Sequence, residues 1–593
     1  MLKKTIVFSL SILLLISVFA FVGMGRENHL PADEQVVPIG VEGTDWGLGE
    51  LTPGEPGGQI ISASTALPKT FNAKIATETS STDITDLLTA GLTSVSPANA
   101  QVVPGLAKSW DISEDKKTYT FHLREGLKFS DGEPLTAEDV VFSFKKLTFN
   151  EKVEDGMRDL LKVQGELPKV EKVDKLTVKI TTPTIFGPFL RTVAGVWVYP
   201  KHKFEGISGE DFNSAWGQQK AKKSPEDIVG AGPFRLKQFV PEQKVVLERN
   251  PYYFRSGPEG TQLPYLDEWV VLKVADTDAQ ALKFKTHETD IYAPTADKIP
   301  FLLKNQEDEN WNVKVNKGER GAPLGSDFLV FNWDTEKEAL AGVFQQRKFR
   351  RAVSHAIDRQ SIIQNVFNGL AAPLTSPVGQ LSPYYNEKTE EKFPMEYDLK
   401  KARSMLDELG LKDSDGDGVR ELPNGEKLAF SILTNKGNKS RVDIGNIIMS
   451  DLNEIGFDVK FNPVEFNSLV QQLLGGKYQA VVIGLTGSIE PNNGANVWRS
   501  GGPLHTWHLN ASKNPVEWEK RVDELFSEGL KHVGVENRKP YYDEWQGIVA
   551  EEVPMIYTVG QIFLFASENE VKNTATFSTI SAEVGHAEFL WKK

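Results

Sequence analysis

Among 593 residues there is no cysteine. That excludes a disulfide framework, a thiolate metal site, a cysteine nucleophile and a lipid-linked cysteine at a processed N-terminus. Histidine is scarce, at nine residues, and none falls at metal-ligand spacing. No HExxH, no G-x-S-x-G and no Walker lysine motif occurs, so metal-hydrolase, serine-hydrolase and P-loop chemistry have no visible carrier. Positive charge is in the minority: 67 Lys and Arg stand against 81 Asp and Glu, a net charge of -14. Removing the first 25 residues, with Lys3 and Lys4, takes two more positive charges away, to about -16. Such a surface argues against nucleic-acid or anionic-membrane binding. Beyond residue 25 no apolar run is long enough to span a bilayer.

What is present reads as a large exported protein. The length exceeds one hydrophobic core and favours two or three domains. Met1 to Gly25 has two lysines, an apolar run from Ile6 to Val22 and small residues near Ala20 and Gly25, the parts of a cleavable signal peptide. A retained membrane anchor is the alternative. Residues 26–49 lie in a Gly-, Pro- and acid-rich stretch with no period, a flexible lead-in whose Trp46 docks elsewhere if at all.

The most organised stretch is Pro104 to Leu147. Lys117 to Leu123 alternates polar and apolar residues as a half-buried strand does, and Ser130-Asp131-Gly132 supplies a turn. Thr136 and Asp139 form a capping pair before Ala137, Val140, Val141 and Phe144, which recur at helical spacing. Further on, Ile228 to Arg255 gives a Gly-Pro turn, two strands and a close on Asn250-Pro251-Tyr252-Tyr253. Phe328 opens another strand before a helix over Arg347 to Arg359. Leu428 to Thr434, Phe457 to Phe461 and Tyr478 to Leu485 are strands, with helices between them at Asp443 to Ile455 and Phe466 to Leu474. That βαβαβ order predicts a parallel, doubly wound sheet.

These stretches together resemble the family 5 extracellular solute-binding proteins, the peptide, dipeptide, nickel and oligosaccharide receptors of bacterial ABC importers. The resemblance implies an α/β fold of the two-lobed periplasmic-binding-protein kind, type II, with an extra small α+β domain and a hinge between the lobes. Lobe I would take residues 50–96, 226–305 and 556–593, the inserted domain 97–225 and lobe II 306–555. Crossings near Lys314 to Gly321 and near Pro554 to Gly560 would form the hinge. It also implies an oligopeptide ligand bound between the lobes as an added strand, delivered to ABC permease subunits in the membrane. A monomer free in the periplasm is expected, with no nucleic-acid partner and no cofactor beyond a structural calcium ion. An oligosaccharide is the alternative ligand. A chemosensory receptor and a secreted hydrolase are further alternatives.

Positions that match the family's cleft are Thr77, Glu78 and Thr79 in an early loop, and Gly484, Leu485, Thr486 and Gly487 after a late strand. Peptide-binding members carry an aspartate where Gly487 stands, pairing with the ligand's ammonium. The nearest acids here are Glu490 and Glu78. Amides and indoles nearby suit sugars or peptides, so Asn332, Trp333, Asn496, Trp498 and Trp507 are expected at the cleft. A separate loop, Asp413-Ser414-Asp415-Gly416-Asp417-Gly418-Val419-Arg420-Glu421, spaces oxygen donors as a Ca²⁺ loop does, with Asp413, Asp415, Asp417 and Glu421 as ligands. Its twelfth position is Asn424 rather than a bidentate glutamate.

Overall fold

The computed structural model describes residues 51–96, 101–257, 260–316, 323, 325–574 and 587–593. The expected signal peptide and the expected lead-in with Trp46 lie outside the described residues, as does most of the first expected hinge crossing.

The chain opens with β1 (Gln59–Ser64) and, after a loop, α1 (Thr79–Leu88). It then builds a separate small sheet from β2 (Ala107–Ile112) and β3 (Thr118–Leu123), and from β4 (Lys169–Lys172) and β5 (Thr177–Thr181). The spatial order is β2-β3-β5-β4, antiparallel throughout. Burial alternates along β3, as its sequence alternation predicts. Between β3 and β4 run α2 (Ala137–Phe142) and α3 (Met157–Leu161). The expected capping pair is present: the Thr136 hydroxyl accepts from the Glu138 amide at 3.3 Å, and Asp139 Oδ2 accepts from the Thr136 amide at 2.9 Å.

The chain returns to the first sheet with β6 (Phe234–Val240), β7 (Lys244–Arg249) and β8 (Glu268–Lys273). β1 pairs parallel with β8, and β7 and β6 follow antiparallel. A three-stranded antiparallel sheet joins β9 (Ile291–Tyr292) and β10 (Trp311–Asn316) to a strand from the far end of the chain.

The second lobe is a five-stranded mixed sheet. It comprises β11 (Ser326–Phe331), β12 (Ala429–Asn435), β13 (Asp458–Val464), β14 (Ala480–Leu485) and β15 (Met555–Tyr557), in the order β13-β12-β14-β11-β15. β12 is parallel to both β13 and β14, with α5 (Lys439–Glu454) and α6 (Phe466–Leu474) as crossovers. This is the βαβαβ unit read from the sequence, widened by β11 and β15, which pair antiparallel. Its outer face is covered by α4 (Arg347–Ala356), which turns Phe349, Ala352, Val353 and Ala356 inward. A short α7 (Ala495–Trp498) and two long helices, α8 (Glu517–Gly529) and α9 (Val535–Glu552), complete the lobe. β16 (Phe563–Glu568) then pairs with β9 and β10. The chain therefore crosses between the lobes twice, between β10 and β11 and between β15 and β16. One large core gathers β1 to β8 and the small sheet; the other gathers the mixed sheet and its helices and also takes in residues around β9 and β10, among them Phe284, Leu302 and Trp311.

Candidate functional site

In parallel strand systems ligands collect beyond the carboxyl ends of the strands. Those ends face one another here. Gly437, just past β12, approaches the loops that leave β1 and β8, where a Cβ added to it would lie 3.6 Å from Thr65 Cβ and 3.4 Å from the Ala275 carbonyl. β14 runs parallel to β12, so Gly484 and Leu485 end at the same edge. The loop from β1 to α1 carries residues 76–78 and leads into α1 at Thr79.

The first-lobe loop is held from below. Asn72 is fully buried, donates to the Phe212 carbonyl at 2.9 Å and accepts from the Tyr199 hydroxyl at 2.8 Å. Lys74, also buried, donates to Thr148 Oγ1 at 2.7 Å and to Asp155 Oδ2 at 3.3 Å. Burial pushes the Lys74 ammonium down from its ordinary value, and Asp155 opposes that shift. Thr77 and Thr79 are exposed, whereas Glu78 is buried and accepts from the Ser81 hydroxyl. The loop thus offers main chain and two hydroxyls.

At the opposing edge Gly484 and Leu485 are half-buried and Thr486 is exposed. Gly484 sits against an ion pair, Arg441 Nε donating to Asp327 Oδ1 at 2.7 Å. A Cβ there would come within 2.5 Å of that carboxylate oxygen, so a side chain at 484 would displace the pair. This pair was not foreseen, since 114 residues separate its members.

The acid expected near Gly487 is engaged elsewhere. Glu490 and Arg538 are both buried and form a two-pronged ion pair, with one arm at 2.9 Å and a shorter second arm. The guanidinium also donates to the Tyr384 and Tyr542 hydroxyls at 2.6 and 3.1 Å. Glu490 therefore has no role as a partner for a ligand ammonium.

Most of the expected indoles and amides are interior. Asn332 is fully buried and donates to the Gly476 and Tyr478 carbonyls at 3.0 and 2.9 Å. Trp333 is buried beneath the Arg350 guanidinium, 4.3 Å from its ring centre. Trp498 packs on Trp507 and Trp545 at 5.5 and 5.3 Å. Trp507 is fully buried and donates its Nε1–H to Glu519 Oε1 at 3.1 Å. In this structure these four fill the second core and offer no cleft surface. Asn496 differs: it is half-buried and reaches across to the inserted domain at Gly156.

Behind α7 lies a charged cluster that spacing alone did not show. Glu519 is fully buried and accepts from His505 Nε2 at 3.0 Å, from His508 Nδ1 at 3.0 Å and from the Val516 amide at 3.0 Å. His505 Nδ1 stands 3.0 Å from the Val497 carbonyl, so both its nitrogens face oxygen acceptors. Burial alone would raise the Glu519 carboxyl, but the two histidines hold it down at about 2. Burial likewise pulls His508 down, and Glu519 and Asp334 outweigh it to raise that ring above its ordinary value.

In the acidic loop, carboxylate oxygens of Asp413, Asp415 and Glu421 lie within 4.8 Å of one another. Glu421 Oε1 is buried with no hydrogen-bond partner, which suits a cation. Asp417 departs from the expected set: Lys427 pairs with it. The three remaining carboxylates fit a calcium ion, and Asp417 would have to leave Lys427 to join them.

Among the described residues no helix is long and apolar enough to cross a membrane. The oligopeptide-binding protein AppA of Bacillus subtilis is 28% identical over 569 residues, spanning 94% of this chain and 93% of that protein. Its structure with a nonapeptide superposes with a TM-score of 0.78 at 24% identity, covering 91% of this chain and all of that one. The Agrobacterium fabrum binding protein MelB in complex with stachyose gives a TM-score of 0.77 at 21% identity, covering 91% of this chain and 85% of that one. The family description "Bacterial extracellular solute-binding proteins, family 5 Middle" matches residues 101–504, and the chain belongs to this family of ABC transporter solute-binding proteins.

Proposed function

We propose that the protein captures an extended oligopeptide between its lobes and delivers it to an ABC permease from the outer side of the membrane. The observation that carries the ligand class is the chemistry of the two facing edges. They present main chain and hydroxyls at Thr77, Thr79 and Thr486, whereas Trp333, Trp498 and Trp507 are buried. Main-chain pairing suits a peptide strand and tolerates varied side chains. A sugar would call for exposed indole faces. The Bacillus subtilis relative, named for oligopeptide binding, supports the same reading. With Gly487 in place of an acid and Glu490 tied to Arg538, neither position offers the ligand's ammonium a carboxylate.

The test is thermal-shift screening of the purified protein against a nonapeptide pool and a glycan panel. A peptide at 100 times its Kd stabilises the fold by about 2.7 kcal/mol. Shifts with glycans alone would replace the peptide reading by the oligosaccharide one.

A further inference from the structure

Among the described residues the inserted domain meets lobe II beside two glycines, and the first of them leaves no room for a side chain. At the first, the Gly187 amide donates to the Leu530 carbonyl at 2.8 Å. The His532 carbonyl is so near that a Cβ on residue 187 would lie 2.1 Å from it, closer than any side chain tolerates. At the second, a Cβ on Gly156 would lie 3.0 Å from Asn496 Nδ2.

Leucines are exchanged across the same seam. Among the described residues, Leu160 is the single member of the inserted domain buried in the second core, and Leu530 the single residue of 325–555 buried in the first. Each seat is rigid on its own side. Asp155, next to Gly156, is locked to Lys74 and Thr148. The Arg538 side chain, 3.2 Å from a Cβ on residue 187, is fixed by Glu490. Neither contact belongs to a sheet, so the lobes can part here while every strand pairing in each lobe stays intact.

We propose that the inserted domain is a clasp on lobe II: the Gly187 and Gly156 contacts exist in the closed form only, and they set how long a bound ligand is retained without touching it. This rests on the ligand-capture reading above. A contact present only in the closed state shifts the population toward it and slows release, while encounter with the open cleft is unaffected.

The absence of native cysteine allows clean labelling. Cysteines replacing the exposed Val173, in the inserted domain, and Tyr397, in lobe II, would carry a donor and acceptor pair. Gly187→Val is the main variant. Gly156→Val, whose new side chain meets only the Asn496 amide, is the milder one should the first fail to fold. With the nonapeptide pool, dissociation is expected to quicken about tenfold while association stays within about threefold of wild type. An unchanged dissociation rate, or a loss confined to association, overturns the clasp. If no peptide binds, the ligand reading fails and the clasp is judged on the ligand-free protein. There wild type should show a short-distance population that the variants lack, and identical distance distributions overturn it.

Discussion

Glu519→Gln removes one negative charge from the buried cluster behind α7 and leaves every neighbour in place. The carboxylate takes hydrogen bonds from His505, Trp507, His508 and the Val516 amide, all between 3.0 and 3.1 Å. Removing one member of a buried ion pair costs about 3–5 kcal/mol because the other charge is left unpaired. The pH dependence gives a second handle. A carboxyl held at about 2 in place of 4.5 contributes stability that is fully present above pH 4.5 and fades as pH falls toward 2. That contribution is on the order of 3 kcal/mol. The raised His508 works the other way: its contribution is complete below 6.5 and is lost as pH rises through its folded value. The gap between wild type and variant is therefore largest between pH 4.5 and 6.5 and narrows on both sides. Urea unfolding at pH 3.5, 5.5 and 8, followed by the fluorescence of Trp498, Trp507 and Trp545, reads it directly. A gap independent of pH would refute the account of Glu519 as a charged hub.

Three further outcomes are expected. Glu490→Gln should cost about 3–5 kcal/mol in urea unfolding, since it breaks the buried ion pair with Arg538; a variant as stable as wild type would mean the pair contributes nothing. Millimolar Ca²⁺ should raise the melting temperature of wild type but not of Asp415→Ala, because Asp413, Asp415 and Glu421 crowd their oxygens into one place; equal shifts in both would remove calcium from this loop. Gly484→Ala should displace Asp327 from Arg441 and weaken peptide binding measured by calorimetry, since its Cβ would come within 2.5 Å of the carboxylate; unchanged affinity would take this edge out of the site.

Local pattern in the sequence was sufficient wherever the structure is decided locally. Alternation found β3, a capping pair found the start of α2, and the helix expected over Arg347 to Arg359 is α4 for most of its length. The βαβαβ order found the parallel part of the second sheet, because crossover helices leave few other pairings. Residues whose role depends on distant partners were not legible. A tryptophan reads the same whether it lines a cleft or fills a core, and only the fold shows that Trp498 packs between Trp507 and Trp545. Glu490 and Arg538 lie 48 residues apart, so nothing local warned that the acid nearest Gly487 was committed. His505 and His508 looked like scattered histidines because their common partner, Glu519, sits on the next helix.

Gly487 gains meaning from that commitment. A buried acid at its place would fix a ligand by its ammonium, and Glu490 could have substituted had it been free. Instead Arg538 draws both Glu490 oxygens into lobe II, and the same guanidinium backs the surface on which Gly187 of the inserted domain rests. An acid that would anchor one end of a ligand is thus used to stiffen the seam between domains. On the proposed peptide reading, the edge offers backbone beside the Asp327–Arg441 pair, and backbone pairs with any residue of an extended peptide as readily as with its first. On the proposed peptide and clasp readings, retention would rest on closure rather than on charge at one terminus. The consequence is measurable: blocking a peptide's N-terminus by acetylation should change its affinity by less than about threefold, whereas pairing with a buried carboxylate would make that loss cost several kcal/mol.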